Sequence, residues 1–413
     1  MNFSKLKNNV LKAIVPSKEQ ERKIFKLTKE VIKRITIRNT KILIGGSLGK
    51  GTWLKNVADV DIYVKFDIKE YNKKDISQIL LKELKKKYKV DVVHGSRDYF
   101  HIFYNGLKFE IIPILDIKIA EEAENITDIS PLHVKWVKKH KKLANEIRLT
   151  KQFCKANGIY GAESYIRGFS GYVVEILTVH HKSFLKLVKS AAAWSGKTVI
   201  DTNRLLKDPL REMNRSKIES PLVIVDPVQE VRNASATVSN EKYNLFIKIC
   251  RDFLRNMNLD FFIETPFDTN ELKAKASGKK LILMNVKPMQ GKVDVIGAKI
   301  LKVFEHLRKQ TLMNGFNLID SGWSWDKEGV AILWFITANE TLPLNKKHMG
   351  PPIKVSKRVE NFREKHQGLE FGQENNCIYV MKPLKFRKVE DFMKDMIETE
   401  PYILDKVKEI KFI

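Results

Sequence analysis

The sequence predicts a multidomain α+β protein with a small-sheet head, a helical neck, and an α+β body and tail. Its 413 residues are enough for about two to four domains, and a hydrophobic content of 43% is enough for sizeable cores. Short strands alternate with helices up to residue 142, helical patterns dominate to residue 256, and a βαββ order follows. We therefore expect domains at residues 1–142, 143–256 and 257–413.

The composition indicates a polyanionic partner. With 75 Lys and Arg against 49 Asp and Glu, the formal net charge is +26, which makes nucleic acid the first candidate. The alternative is a lysine-rich proteome, in which solvated faces carry Lys without binding anything.

The spacing of the cysteines and the hydropathy of the chain indicate the compartment of the protein. The three cysteines, Cys154, Cys250 and Cys377, are widely spaced, which favours a reducing cytoplasm over a disulfide framework. They show no zinc-ligand spacing. No apolar run approaches the roughly 18 residues of a membrane span, so we expect no membrane partner.

The head carries carboxylates at a spacing that suits a divalent cation. A short apolar run from Lys41 to Ile44 leads into Gly45 and Gly46, where the backbone can approach a ligand closely. A second strand follows, and Asp59 and Asp61 leave it from the same face. Two carboxylates on one face repel each other unless a cation such as Mg²⁺ lies between them.

A third carboxylate is predicted beside this pair. Residues 99–104 and 107–114 have the pattern of a hairpin with an Asn105-Gly106 turn. Its returning strand carries Glu110 in an otherwise apolar run, where an acid is costly without a cation to meet. Asp59, Asp61 and Glu110 together suit the two metals of an in-line phosphoryl displacement.

These residues carry a family resemblance. Gly46-Ser47, Thr52-Trp53 and the two aspartates resemble the signature of the DNA polymerase beta nucleotidyltransferase superfamily. The form Gly-Ser-x-x-Lys-x-Thr-Trp-Leu is similar to that of the archaeal, class I CCA-adding enzymes. Gly-Ser alone is an ordinary turn, but the ordered set with its third acid is far more specific. The resemblance implies that Gly46, Ser47 and Lys50 bind the nucleotide phosphates.

The resemblance extends through the neck. The stretch Pro-x-His-x-Lys-Trp implies that His133 contacts the nucleotide. The strings at residues 159–163 and 165–172 imply that Lys151 meets the triphosphate and Tyr160 the nucleotide. Without the resemblance, Lys151 and Tyr160 are an ordinary helix lysine and a half-buried aromatic.

The segment at residues 223–234 resembles the family's Asp-Pro-Val stretch ending in Arg-Asn, which places Arg232 and Asn233 at the nucleotide. Arg is a donor-only group. Cytosine and adenine each present an acceptor ring nitrogen where uracil and guanine present an N–H, so a donor-only reader favours C and A. The alternative is that Arg232 caps a helix or pairs with Glu230.

The sequence pattern of residues 257–413 predicts an RNA-binding platform. The βαββ order is of the sort that binds RNA by shape and backbone, and residues 348–352 with the basic helix at 357–365 resemble the family's tRNA-gripping tail. Residues 389–397 and 406–410 have helical character.

The resemblance implies a cytoplasmic, archaeal-type enzyme that adds C, C and A to the 3′ end of tRNA from CTP and ATP with two Mg²⁺ ions. Two departures affect rate and metal preference: Lys50 replaces a frequent Arg, and Glu110 replaces a frequent Asp. A poly(A) polymerase-like enzyme and a non-catalytic tRNA-binding protein remain as alternatives, and a homodimer stays open.

Overall fold

The computed structural model describes residues 2–55, 59–338 and 341–413, and it divides into two compact units, Met1–Thr265 and Pro266–Ile413. The elements of the first unit are α1 Phe3–Ile14, α2 Lys18–Lys33, β1 Thr40–Ile44, α3 Gly46–Lys50, β2 Asp59–Phe66, α4 Ile68–Tyr71, α5 Ile76–Lys85, β3 Asp91–Val93, β4 Tyr99–Tyr104, β5 Leu107–Leu115, α6 Ser130–Lys139, α7 Ala144–Ala156, α8 Gly171–His181, α9 Phe184–Ala192, β6 Thr198–Ile200, α10 Pro209–Glu212, β7 Leu222–Asp226, β8 Gln229–Asn233 and α11 Asn240–Arg255.

The head is built on a five-stranded sheet in the order β1-β2-β5-β4-β3, with β2 and β5 parallel. One face of this sheet packs on a core shared with α2 and α5. The residues that enter that core from the central strands are Val60, Ile62, Val64, Phe66, Phe109 and Ile111. Alternate residues point to the opposite face, which therefore carries Asp59, Asp61 and Glu110.

Local signals set the boundaries of the head elements. Ser17 and Gln20 form a capping box at the start of α2. Asn105 and Gly106 both adopt positive φ, 47° and 78°, which is the backbone that a two-residue hairpin turn needs. The prediction of a hairpin that delivers Glu110 beside β2 is confirmed.

The neck has its own core, formed mainly by α7, α8, α9 and α11. The N-terminal helix α1 contributes Leu6, Val10 and Ile14 to this core, so it packs on the neck although it precedes the head in the chain. At the other end, Phe262 also lies in the neck core. The compact unit that holds both the head and the neck therefore ends at residue 265, beyond the expected end of the neck at residue 256.

A three-stranded sheet, β6-β7-β8, joins the neck helices. Arg232 lies within β8, so the alternative that it caps a helix is wrong. The strand is antiparallel to β7, and Val225 pairs with Asn233.

The elements of the second unit are α12 Thr269–Lys275, β9 Lys280–Pro288, α13 Val293–Met313, β10 Leu318–Ser324, β11 Ala331–Thr337, β12 Asn345–Pro352, α14 Ser356–Lys365, β13 Glu370–Glu374, β14 Cys377–Pro383, α15 Val389–Thr399, α16 Pro401–Leu404 and β15 Val407–Phe412. Its strands form two sheets, β10-β11-β9-β15 and β12-β14-β13. The prediction of helical character at residues 406–410 is wrong, because residues 407–410 belong to the edge strand β15, which pairs with β9. In the described ranges no helix is both long and apolar enough to cross a bilayer.

Candidate active site

The strand register brings the predicted acids together. Asp61 lies directly opposite Glu110 in the parallel pair of β2 and β5, and Asp59 lies opposite Lys108. The neighbouring strand β4 places His101 opposite Glu110. Two carboxylates on adjacent strands in the same register row are close neighbours, so the sheet itself fixes the pairing of Asp61 with Glu110.

The electrostatics of this pair suit a cation. Burial and the charge of Glu110 raise the pKa of Asp61 to about 6. Burial also raises the pKa of Glu110, while Lys108 opposes that rise. The charge of Glu110 therefore destabilises ionised Asp61, and the charge of Asp59 does the same to ionised Glu110. A positive charge among these carboxylates would offset that repulsion.

The side chains do not yet converge on one point. Lys108 Nζ lies 3.3 Å from Asp59 Oδ1, and the Asp59 side chain is 56% exposed. Glu110 Oε2 instead lies 3.5 Å from His101 Nε2. Among the described residues no three His, Cys, Asp or Glu side chains are close enough to hold one metal ion. The prediction of a three-acid site is thus matched in strand register but not in side-chain position.

Gly46 shapes the space around Asp61. Its φ is 50°, and a Cβ built on it would lie 1.6 Å from Asp61 Oδ2. The loop backbone is also tied to β2, because the Gly45 N–H donates to the Asp61 carbonyl at 2.8 Å. The loop therefore leaves room for the carboxylate only because residue 46 has no side chain. Hard oxygen donors in such a cradle fit a divalent cation.

The two predicted phosphate-binding lysines converge on an acid that sequence reasoning missed. Glu175 on α8 is 1% exposed, and it accepts from Lys50 at 2.7 Å, Thr52 at 2.8 Å and Lys151 at 3.1 Å. Lys151 is itself 3% exposed. Glu175 is a single acid in an otherwise apolar run, and the same pattern predicted Glu110.

Glu175 is stabilised as an anion by its partners. Burial alone would raise its pKa, but the charges of Lys50 and Lys151 lower it to about 2. One carboxylate therefore partly neutralises two ammonium groups, and the cluster keeps a net positive charge. This excess charge is what a polyphosphate requires.

Removing the charge of Glu175 should destabilise the protein strongly. In Glu175→Gln the two lysines lose their anion, and breaking a buried ion pair from one side costs about 3–5 kcal/mol. Lys151→Met should cost less, because Glu175 keeps Lys50. Urea unfolding at pH 7 measures both variants. Because the folded-state pKa is depressed, the difference between Glu175→Gln and wild type should shrink as pH falls below about 4.5. Equal stability of the two variants at pH 7 would contradict this account.

A second buried acid organises the predicted base-reading residues. Asp226 is 0% exposed and accepts from Tyr172 at 2.9 Å and from an Arg232 guanidinium nitrogen at 2.5 Å. The oxygen that accepts from Arg232 also lies 3.2 Å from His133 Nε2, and the His133 ring stacks on Tyr172 with centroids 4.0 Å apart. His133 and Arg232 are thus brought together, and Arg232 pairs with Asp226, not with Glu230.

Lys50 connects the two clusters. Its Nζ lies 5.2 Å from the centroid of the Tyr172 ring, and its charge lowers the pKa of both Asp61 and His133. A continuous row of charged and aromatic groups therefore runs from the acid pair to Arg232.

The remaining predicted residues have mixed placements. The Tyr160 hydroxyl lies 2.8 Å from the point where a Cβ built on Gly171 would stand, and the Lys151 side chain lies 4.0 Å from the same point. Ser47 is the second residue of the short helix α3, which begins at Gly46. Asn233 is 5% exposed. Its side-chain oxygen accepts from the backbone N–H groups of Ile224 and Ser235. Its side-chain nitrogen donates to the Lys217 carbonyl and to Ser220 Oγ. This saturation favours a structural role for Asn233, as a support of the Arg232 strand, over the predicted nucleotide contact.

Part of the fold is shared with solved structures. Two structures of Cid1, described as a poly(U) polymerase and as an RNA terminal uridylyl transferase, have TM-scores of 0.51 and 16% and 15% sequence identity. They cover 64% and 65% of this chain and 99% of their own. Similarity at this level shows the fold alone, and this fold agrees with the predicted α+β class.

Family models and relatives are more specific. Successive models match a nucleotidyltransferase domain at residues 24–141, the second domain of tRNA nucleotidyltransferase at residues 145–263, and the C-terminal domain of CCA-adding enzyme at residues 292–409. The CCA-adding enzyme of Nanoarchaeum equitans is 36% identical over 82% of this chain and 83% of that protein. That of Sulfolobus acidocaldarius is 30% identical over 91% and 87%. By this similarity the chain belongs to the archaeal CCA-adding enzymes, a family of tRNA nucleotidyltransferases.

Proposed function

We propose that this enzyme completes the 3′ end of tRNA by adding C, C and A from CTP and ATP without a template, releasing pyrophosphate at each step. The observation that carries the proposal is the register match of Asp61 with Glu110 beside the lysine cluster of Glu175. An acid pair next to excess positive charge suits a triphosphate and an attacking hydroxyl in one site.

Asp59, Asp61 and Glu110 are the residues that would hold the divalent ions, and we infer two Mg²⁺. When bound, such ions lower the pKa of the 3′-hydroxyl and neutralise the charge of the triphosphate and the leaving pyrophosphate. Asp59 and Asp61 would serve both ions, and Glu110 would complete the site on the side of the RNA. For this, Asp59 must leave Lys108 and Glu110 must turn toward Asp61.

The chain's own cations bind the triphosphate in this proposal. Lys50 is partly exposed, whereas Lys151 is buried behind it. Lys50 therefore contacts phosphate directly, together with Ser47 and the Gly46 backbone, and Lys151 with Glu175 keeps it in place. Tyr160 packs beside Lys151 and bounds the nucleotide site.

Arg232 selects the incoming base, and His133 supports Arg232 in this role. Asp226 fixes the guanidinium through one nitrogen, and the side chain remains 31% exposed. The remaining donors can meet the acceptor ring nitrogen of cytosine or adenine but not the N–H of uracil or guanine. Burial lowers the pKa of His133 although Asp226 opposes that shift, which favours a neutral ring stacked on Tyr172.

Arg232→Lys should weaken this choice while keeping the charge beside Asp226. A lysine has no planar fork of donors, and a hydrogen bond from a charged group contributes about 1.5–3 kcal/mol. The kcat/KM for CTP and ATP should therefore fall about 10- to 100-fold, whereas that for UTP and GTP should not fall. Arg211→Lys, at an 88% exposed side chain, is the matched control. An unchanged CTP-to-UTP ratio in Arg232→Lys would remove Arg232 from base selection.

Extension of tRNA lacking its 3′ CCA, resolved at single nucleotides, tests the proposed function. With Mg²⁺ and CTP alone we expect two C additions, and a third addition only when ATP is also present. Repeated A addition without C would instead identify a poly(A) polymerase. Binding of tRNA without any extension would identify a non-catalytic tRNA-binding protein, against which the three acids argue.

We also infer a reducing, cytoplasmic location, since Cys154, Cys250 and Cys377 are all free thiols and two of them are buried. Association into a homodimer remains a prediction, which light scattering after gel filtration would decide.

A further inference from the structure

An exposed aromatic ring lies on the sheet face that carries the acids. Phe103 is 68% exposed, and its strand neighbours Phe100 and Ile102 enter the head core. By strand alternation Phe103 shares its face with His101, which lies opposite Glu110. Single exposed apolar residues are common on proteins, so exposure alone does not assign a role; the position on this face does.

The residue opposite Phe103 links it to the acid pair. Phe103 lies in register with Lys108, and Lys108 Nζ reaches Asp59 at 3.3 Å. A ring, an ammonium group and a carboxylate therefore follow one another across β4, β5 and β2. On the other side β3 pairs with β4 only from Tyr99 to His101, so it leaves the strand edge open at Phe103.

Aromatic rings beside cations are the usual means of holding single-stranded RNA. Bases stack on the ring and the backbone follows the positive charge. Phe103 lies two residues beyond His101, about 7 Å along the strand. In the sheet, β4 lies on one side of the two acid-bearing strands, whereas the loop and helix that carry Gly46 and Lys50 follow β1 on the other side. An RNA whose 3′-hydroxyl meets Glu110 would place its last bases over this strand.

We propose that Phe103 forms a stacking subsite for the 3′-terminal bases of the RNA, with Lys108 facing the adjoining phosphate. This inference rests on the proposed function for the direction of the RNA. The ring positions the RNA terminus and takes no part in the chemistry. It acts on the RNA substrate and not on the incoming nucleotide.

The test compares two RNAs: tRNA ending in C-C, and the same tRNA with its two terminal nucleotides made abasic. Phe103→Ala should raise the Kd and KM for the intact RNA about tenfold, the size expected for one lost base–ring stack. It should change neither value for the abasic RNA, nor the KM for ATP. Phe103→Trp should restore wild-type values for the intact RNA. Phe25→Ala, which removes a 37% exposed ring on α2, should leave all of them unchanged.

Two results would overturn the subsite. One is an unchanged Kd for intact RNA in Phe103→Ala, and the other is an equal loss on intact and abasic RNA. The Kd is measured without nucleotide, so it decides the inference even if the wild type binds RNA and fails to extend it, an outcome that would count against the proposed function alone.

Discussion

Asp61→Asn should abolish nucleotide addition, with kcat reduced at least about 1000-fold. The substitution removes one charge from the acid pair while keeping the side-chain shape. Stabilisation of transition-state charge by bound metal contributes several kcal/mol, and each 1.36 kcal/mol changes the rate tenfold. Binding of tRNA should be almost unchanged, because cationic side chains supply it. Single-turnover extension with CTP, together with filter binding, measures both.

Asp91→Asn is the matched control for this variant. Asp91 is an exposed acid in register with His101, so it lies on the same sheet face but outside the acid pair. Its substitution should leave the rate within a few-fold of wild type. Substantial activity in Asp61→Asn, or equal losses in both variants, would remove Asp61 from the metal site.

Asp61→Asn should stabilise the metal-free protein. The pKa of Asp61 is about 6 in the folded state, above the ordinary value of 3.8, because of burial and the charge of Glu110. The folded state therefore holds the proton more tightly than the unfolded state, and wild-type stability falls as pH rises from about 4 to 6. In EDTA, Asp61→Asn should melt at a higher temperature than wild type at pH 8, with the difference fading below pH 4.

Gly46→Ala should strongly reduce nucleotide addition, because it displaces the Asp61 carboxylate. The added Cβ would lie 1.6 Å from Asp61 Oδ2, so the carboxylate must leave its position. The φ of 50° adds a backbone penalty of about 1–2 kcal/mol. We expect a folded protein with a modestly lowered melting temperature and at least about 100-fold lower kcat, because displacement of a reacting group by about 1 Å has that effect.

Gly158→Ala separates strain from the clash. Gly158 has a φ of 65° with nothing within 4 Å of the Cβ position, so its substitution adds strain without a collision. It should lower the melting temperature about as much as Gly46→Ala and leave kcat unchanged. Comparable inactivation by both variants would show that strain, not the position of Asp61, explains the loss.

The catalytic strands were predictable because their signals are local. β-Branched and aromatic residues at short spacing predicted strand β2, and the Asn105-Gly106 turn predicted the partner strand that carries Glu110. Once both strands lie in one sheet, the match of the acids follows from register. Local period and turn chemistry therefore account for the acid pair.

The buried acids of the neck depended on contacts distant in sequence. Glu175 meets Lys50 across 125 residues, and Asp226 meets His133 across 93. No spacing rule connects such positions, so the sequence predicted the cations but not the anions that hold them. The edge strand β15 was mistaken for a helix for a related reason: its pairing with β9 overrides the local pattern.

Direct counting of bound metal tests the central claim, that Asp59, Asp61 and Glu110 form one two-metal site. Mn²⁺ is titrated by electron paramagnetic resonance into the full-length enzyme with tRNA ending in C-C and a non-hydrolysable CTP analogue. The account predicts two bound ions in the wild type, one in Glu110→Gln and none in Asp61→Asn. The same number of bound ions in all three proteins would contradict it.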